Sequence, residues 1–299
     1  MSKYLITGGA GFIGSALARK LIENNHSVVI LDNLSTGTTD NIPNGCDSIF
    51  TDNILNRELV DKLVSKVDGV FHLAAIASVV KCNARWIDST DVNLGGTINV
   101  LTAAAKYNRQ VVYASSAAVY GASEVKIREF HLKMPINIYG TDKYSSELYC
   151  RMISELHDIP VTCLRLFNVY GKGQSKDSMY SGVITIFADA IREDRAITIH
   201  GDGEQVRDFI HIDHVVEYFI RAMGAGHGYR VFNVCSGVGI TIDELAHTAM
   251  EAFDTKVEVK RRPERNGDIE KSVGYNDSIV KTLGKIPHID FNKSIKEIL

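Results

Sequence analysis

Residues 4–14, Tyr-Leu-Ile-Thr-Gly-Gly-Ala-Gly-Phe-Ile-Gly, constrain this chain more than any other stretch. A short apolar run leads into a turn carrying Gly8, Gly11 and Gly14, and a helical pattern opens at Phe12-Ile13. Strand, glycine turn and helix in that order build a dinucleotide cradle. The glycines let the chain turn tightly and let the backbone approach a pyrophosphate, and the helix N-terminus offers free N–H groups and partial positive charge. The next apolar run, 27–31, ends at Asp32, at the distance expected for a carboxylate bonding ribose hydroxyls. A carboxylate there repels a 2′-phosphate, which favours NAD over NADP. The spacing, Gly-x-x-Gly-x-x-Gly, differs from the Gly-x-Gly-x-x-Gly of many dehydrogenases.

Four more apolar, β-branched runs follow the same rhythm: 27–31, 69–73, 110–114 and 160–165. Helical patterns at 12–24, 85–107 and 139–157 separate them. The alternation predicts an α/β chain with a doubly wound parallel sheet of the Rossmann type, and runs apolar on consecutive residues suit strands covered on both faces. From residue 168 the rhythm breaks into Gly- and Ser-rich loops, a helix at 182–193, strands at 196–200 and 231–234, and a helix opening on the capping box Thr241-Ile-Asp-Glu244. We expect a dinucleotide-binding domain over 1–167 and a smaller α+β substrate lobe over 168–299, with some segments crossing back into the first sheet.

Composition narrows the function. With 33 Lys and Arg against 36 Asp and Glu, the formal charge of −3 offers no basic stripe for a nucleic-acid backbone. No stretch approaches the roughly 18 apolar residues of a membrane span, and no secretory leader is visible, so a cytoplasmic protein is expected. The five cysteines lack metal-ligand spacing and read as reduced, mostly buried thiols, with no metal site.

Tyr139 and Lys143 lie four apart at the start of a helical segment and so share a face. A phenol with an ordinary pKa near 10 is a poor base at neutrality unless cations stabilise its phenolate. Lys143 and a nicotinamide ring are the candidate cations; lowering the pKa by about three units takes roughly 4 kcal/mol. Ser116, in Ala114-Ser-Ser-Ala-Ala-Val-Tyr-Gly121 at the carboxyl end of a strand, is placed to bond the same substrate oxygen. Taken alone, each has a plainer reading, as a packed tyrosine, a surface lysine and a turn-capping serine.

Together these residues resemble the extended short-chain dehydrogenase/reductases that act on nucleotide sugars, especially the branch similar to UDP-galactose 4-epimerase. The resemblance runs through residues 7–14, His72-Leu-Ala-Ala75, Asn93-Leu-Gly-Gly-Thr97, 115–121, Tyr139-Gly-Thr-Asp-Lys143, Arg165-Leu-Phe-Asn-Val-Tyr-Gly171, 201–208 and Arg265-Asn-Gly-Asp268. It implies that Tyr139 is the base and acid, Lys143 its activator and a ribose ligand, and Ser116 the second contact to the sugar hydroxyl. It also implies NAD contacts from Gly8, Gly11, Phe12, Ile13, Gly14, Asp32, Asn33, Ser35, Gly37, Asp52, Asn53, Leu73, Ala74, Ala75, Ala77, Asn93, Ser115 and Phe167. Asn168, Val183, Arg207, Arg265, Asp268 and Ser272 fall in its nucleotide-sugar site, where arginine forks suit a pyrophosphate. The helical segments 85–107 and 139–157 resemble the family's four-helix dimer contact, so a homodimer is expected, with Leu148, Met152 and Ile153 serving either that contact or the core.

The implied reaction oxidises a UDP-sugar at C4 to a transient 4-keto sugar and reduces it again on the other face, with the cofactor retained. Ala117 and Ala118 stand where a 4,6-dehydratase carries an Asp-Glu pair, and alanine transfers no proton. Hexuronic-acid epimerases and decarboxylases share the 4-keto intermediate and stay open. A dinucleotide-binding sensor would typically lose the tyrosine or lysine, and a keto reductase using NADPH is opposed by Asp32. Ser272, four beyond Asp268, leaves room beside the sugar 2-substituent, which predicts activity on UDP-N-acetylhexosamines in addition to, or above, UDP-glucose and UDP-galactose. The chain departs from the family at Asn266, usually proline, at Tyr275, commonly aspartate, and at Asp142, frequently serine. Asp142 is one residue off the catalytic stripe and is expected to face solvent; pointing inward, it would temper the charge of Lys143.

Overall fold

The computed structural model describes residues 1–174, 182–264 and 269–298. The first part of the chain runs β1 (Lys3–Thr7), α1 (Phe12–Glu23), β2 (Ser27–Asp32), β3 (Ser48–Thr51), α2 (Arg57–Val64), β4 (Gly69–His72), α3 (Val79–Ala84), α4 (Trp86–Thr90), α5 (Gly96–Tyr107), β5 (Gln110–Ser116), α6 (Ile138–His157) and β6 (Val161–Leu166). The second part carries β7 (Asn168–Tyr170), α7 (Val183–Arg192), β8 (Ile197–His200), β9 (Val206–His211), α8 (Ile212–Met223), β10 (Tyr229–Val234), β11 (Gly239–Thr241), α9 (Ile242–Ala252), β12 (Val259–Arg262) and β13 (Lys271–Ser272), before two short C-terminal helices.

Seven strands form one sheet in the order β10-β6-β5-β4-β1-β2-β3, and every neighbouring pair is parallel. The expected doubly wound sheet is present. Its apolar runs are continuous because alternate residues feed two cores. Ile6, Val28, Ile30 and Val112 face α1 and α8. Leu5, Val29, Leu31 and Val111 face α2 and α5. The chain winds from β1 outward to β3 and then returns to β4 on the other side of β1, so ligands are expected at the carboxyl ends of β1 and β4, where the order reverses.

Three details go beyond the sequence reading. β3 lies at the sheet edge with alternate residues exposed, so it shows no apolar run. The strand predicted at 231–234 belongs to the central sheet, paired with β6, and α8 packs in the same core as α1. The helical pattern at 85–107 is interrupted: α4 and α5 are joined by a π-helical turn at Asp91–Gly95, and such turns often mark functional positions.

The lobe is built round β9, which pairs with β7, β11 and β13, and a separate core gathers Ile184, Phe187, Ile199, Phe209 and Leu245. Thr241 caps α9 in the predicted capping box with Glu244. All five cysteines are free thiols, four of them buried. Among the described residues no helix is long and apolar enough to cross a membrane.

Candidate active site

The glycine turn joins β1 to α1 at the switch point. Gly8 has φ +75°, and a Cβ there would lie 2.7 Å from the Ala74 backbone nitrogen; one on Gly14 would lie 2.1 Å from the Gly8 carbonyl oxygen. The turn therefore exists only with glycine at both places. α1 starts at Phe12 with no side-chain cap on Gly11 and no acid in its first turn, which leaves the amides of that turn for an anion. Asp32 ends β2 and accepts the Ala10 N–H at 2.9 Å and the Leu34 N–H at 2.8 Å. Its carboxylate thus braces the turn, a task the ribose reading did not anticipate.

The remaining cofactor candidates ring the same strand ends. The Asn33 side chain accepts the Ser35 N–H, and Gly37 packs on Ala10, where a Cβ would be 2.6 Å from its carbonyl carbon. At the end of β3, Asp52 accepts from the Asn53 amide and from Asn56. After β4, Leu73 N–H donates to the Thr7 carbonyl, and Ala74 N–H to the Thr7 hydroxyl. A cradle too narrow for side chains, an uncapped helix start and a carboxylate at the next strand end fit an adenine dinucleotide.

Ser116, Tyr139 and Lys143 converge at the carboxyl end of β5. Asn137 caps α6 by accepting the Gly140 N–H at 2.8 Å, which places Tyr139 in the first turn and Lys143 one turn on. Lys143 Nζ donates to the Ala114 carbonyl at 2.7 Å and lies 5.8 Å from the centre of the Tyr139 ring. Ser116 accepts the Ala118 N–H at 3.1 Å, so it caps a turn as well as meeting the phenol. Burial pushes the Tyr139 phenol up to about 12, and hydrogen bonding with Ser116 pulls it partly back. Burial pushes the Lys143 ammonium down to about 8. The chain alone thus raises the phenol's pKa; bringing it to neutrality takes roughly 7 kcal/mol rather than the 4 expected from sequence.

Asp142 does not face solvent. It is 3% exposed and accepts the Thr90 hydroxyl at 2.9 Å and the Asn93 side-chain amide at 3.3 Å. Asn93 lies in the π-helical turn, and packing of α6 on α4 and this turn buries a position that helical periodicity alone puts outside. Asn93 also grips Ile76, accepting its N–H at 2.8 Å and donating to its carbonyl at 3.3 Å, so it ties the loop carrying Ala75 and Ala77 to the catalytic helix.

Sequence reasoning missed the support beneath the site. Glu147 continues the Tyr139, Lys143 stripe by one more turn. It accepts the Ser115 hydroxyl at 2.5 Å and two bonds from Arg165, so the Ser115 side chain is occupied inside the protein. The four-residue spacing was the available signal. His72 is buried between the Thr7 and Thr97 hydroxyls at 2.7 and 3.0 Å, and burial holds its pKa down to about 3. Asp208 accepts from Ser236, Gly237 and Gly274 amides and the Ser236 hydroxyl, binding together three segments of the lobe.

Of the substrate candidates, β9 gathers three. Arg207 lies in register between Ile240 and Ser272, and Asn168 pairs with Phe209 while its amide donates to the Asp208 carbonyl at 2.9 Å. Val183 opens α7. Phe167 is buried against Val119, Tyr120 and Cys235. Arg265 and Asp268 lie outside the described residues. Tyr275, a departure from the family pattern, has Lys126 Nζ and Arg128 Cζ over its ring, 4.2 and 3.9 Å from the ring centre.

Comparison with known proteins agrees with this geometry. A putative UDP-glucose 4-epimerase of Methanocaldococcus jannaschii is 34% identical over 99% of this chain and 96% of its own. A UDP-N-acetyl-alpha-D-glucosaminuronate decarboxylase of Bacillus cytotoxicus is 36% identical over 81% of this chain and 77% of its own. The solved UDP-N-acetylglucosamine 4-epimerase of Methanobrevibacter ruminantium, in complex with UDP-N-acetylmuramic acid, superposes with a TM-score of 0.95 at 31% identity, covering 99% of this chain and 96% of that one. The profile of the NAD dependent epimerase/dehydratase family matches residues 4–235, and with the glycine turn, Asp32 and the Ser116, Tyr139, Lys143 cluster on one strand edge, the chain belongs to that family.

Proposed function

We propose that this protein interconverts UDP-hexoses epimeric at C4, with NAD held as a resident cofactor. The observation that carries the reading is the convergence of Ser116, Tyr139 and Lys143 at the carboxyl end of β5, with Ala117 and Ala118 following directly. Bound NAD supplies reversible two-electron oxidation of the sugar carbon. Tyr139 takes the proton of the 4-hydroxyl and returns it, Ser116 holds the same oxygen, and Lys143 favours the phenolate. No group at 117 or 118 can remove water from C5 and C6. Arg207, with Arg265 and Asp268, anchors the nucleotide while the sugar turns between its two faces.

For the sugar, Ser272 supports N-acetylated substrates. Its partly buried strand position beside Arg207 carries a side chain small enough to leave room for a 2-acetamido group. Activity is expected on UDP-N-acetylglucosamine and UDP-N-acetylgalactosamine as well as UDP-glucose and UDP-galactose. The rival, a hexuronic-acid epimerase or decarboxylase, is favoured by the Bacillus cytotoxicus relative. Turnover on both sugar pairs, with and without Ser272→Tyr, tests the assignment; an unchanged ratio removes Ser272 from it, and either C4 epimerisation of a UDP-hexuronate in preference to both pairs or carbon dioxide release from it selects the rival.

The same reading includes a homodimer. Trp86 and Ile87 on α4 and Leu148, Tyr149, Met152 and Leu156 on α6 are all exposed, and an exposed apolar patch across two neighbouring helices suits a two-fold helical contact. Ile153, in contrast, packs against the core.

A further inference from the structure

We propose that Asp142 sets the proton balance between Tyr139 and Lys143: its buried charge, fixed by Thr90 and Asn93, favours the phenolate–ammonium form of that pair over the neutral form. The inference rests on Tyr139 being the base of the proposed epimerase.

Asp142 is held at both carboxylate oxygens in a buried pocket. Thr90 donates to one carboxylate oxygen and Asn93 to the other. Asn93 is not free to turn over, because its oxygen accepts the Ile76 N–H and its amide donates to the Ile76 carbonyl. An asparagine at 142 keeps both contacts by turning its oxygen to the Asn93 amide and its own amide to the Thr90 hydroxyl, which accepts as well as donates, so that substitution removes chiefly the charge.

A Tyr–Lys pair that has lost one proton exists in two forms, phenolate with ammonium or phenol with amine, and only the first is a base at the phenol oxygen. Burial penalises both charges of that first form, pushing Tyr139 up to about 12 and Lys143 down to about 8. The groups round Lys143 are the Tyr113 ring, 4.7 Å from Nζ, the Ala114 carbonyl, the thiols of Cys82, Cys150 and Cys163, and Asp142. His72 also lies within electrostatic range and is held neutral by burial. Asp142 is the carboxylate among them; burial raises its own pKa while the Thr90 and Asn93 hydrogen bonds and the Lys143 charge oppose that rise, and its charge, next after the Cys150 thiol, opposes the loss of the lysine proton. The influences on Tyr139 are its own burial, Ser116 and Cys82, so the charge of Asp142 acts on the ammonium side of the pair. It is a positioning residue, acting through Lys143.

The test uses NAD-loaded protein and measures the Tyr139 phenolate by its ultraviolet absorbance between about pH 6 and 9, as the difference from Tyr139→Phe in each background. In Asp142→Asn and Asp142→Ser the phenolate signal at neutral pH is expected to fall by roughly fivefold, a difference of about 1 kcal/mol. The kcat for epimerisation should fall by the same factor, with KM and retained NAD unchanged. The serine variant, smaller and still a hydrogen-bonding side chain, covers the case in which asparagine disturbs folding. An undiminished phenolate in the variants, or no phenolate in the wild type, overturns the inference whatever kcat does. Absence of epimerisation by the wild type instead overturns the proposed function, because the phenolate comparison needs no sugar turnover.

Discussion

Arg165 and Glu147 are joined by two parallel hydrogen bonds, 2.8 Å from Nε and 2.6 Å from Nη2, with both side chains almost fully buried. Glu147 also takes the Ser115 hydroxyl, and Arg165 reaches the Tyr120 hydroxyl at 2.7 Å. The pair thus fastens α6 to β5, which carries Ser116, and to β6. Glu147→Ala leaves a buried guanidinium uncompensated and is expected to cost about 3–5 kcal/mol of stability. Urea unfolding measures it; a loss below about 1 kcal/mol would show that water reaches Arg165.

Tyr139→Phe removes the hydroxyl proposed as proton carrier and leaves the ring. A fall in kcat of about 10²–10⁴-fold is expected, with UDP-sugar affinity and NAD content little changed. Stopped-flow and equilibrium binding separate the two. A comparable loss of binding would mean that the hydroxyl is a ligand contact rather than the proton carrier.

Most of this catalytic set was legible in the sequence because it depends on local spacing. The glycine turn, Asp32, and the Tyr139, Lys143 pair each follow from short-range geometry on one strand end or one helix face. Asp142 was misread because helical periodicity places a residue relative to its own helix and says nothing of the π-helical turn that brings Thr90 and Asn93 against it. Glu147 and Arg165, eighteen positions apart, meet only when α6 packs on β5 and β6. β10 was recognised as a strand, but its place beside β6 depends on packing of α8 against the far side of the sheet.

His72 titrates far below neutrality. Its pKa falls from 6.5 in the unfolded chain to about 3 in the folded one, so between those values the unfolded chain holds a proton that the folded chain refuses. Stability therefore falls as pH falls through that window, by about 2 kcal/mol from this group between pH 7 and 5. His72→Asn should lose that much less than the wild type over the same interval, although it starts from a lower stability without the Thr7 and Thr97 bonds. Equal losses in both proteins would remove His72 from the acid limb.

Gly14→Ala puts a methyl group 2.1 Å from the Gly8 carbonyl oxygen, where backbone must move. The variant is expected to purify without NAD while keeping most of its helical circular dichroism, because the two sheet cores lie away from the turn. Full NAD occupancy in the variant would contradict the cradle described here.

Met152→Glu and Leu148→Glu place charge on the exposed face of α6. Sedimentation is expected to show a monomer where the wild type gives a dimer. A wild type that sediments as a monomer would contradict the proposed assembly.

The account turns on oxidation and re-reduction at the same sugar carbon by a cofactor that does not leave. A UDP-sugar carrying deuterium at C4 tests this most directly, with products resolved by NMR. The prediction is the C4 epimer with its deuterium retained and no net change in NADH. Deuterium replaced by solvent hydrogen would mean proton abstraction at carbon, and label recovered in free NADH would mean an ordinary dehydrogenase; either result contradicts the account.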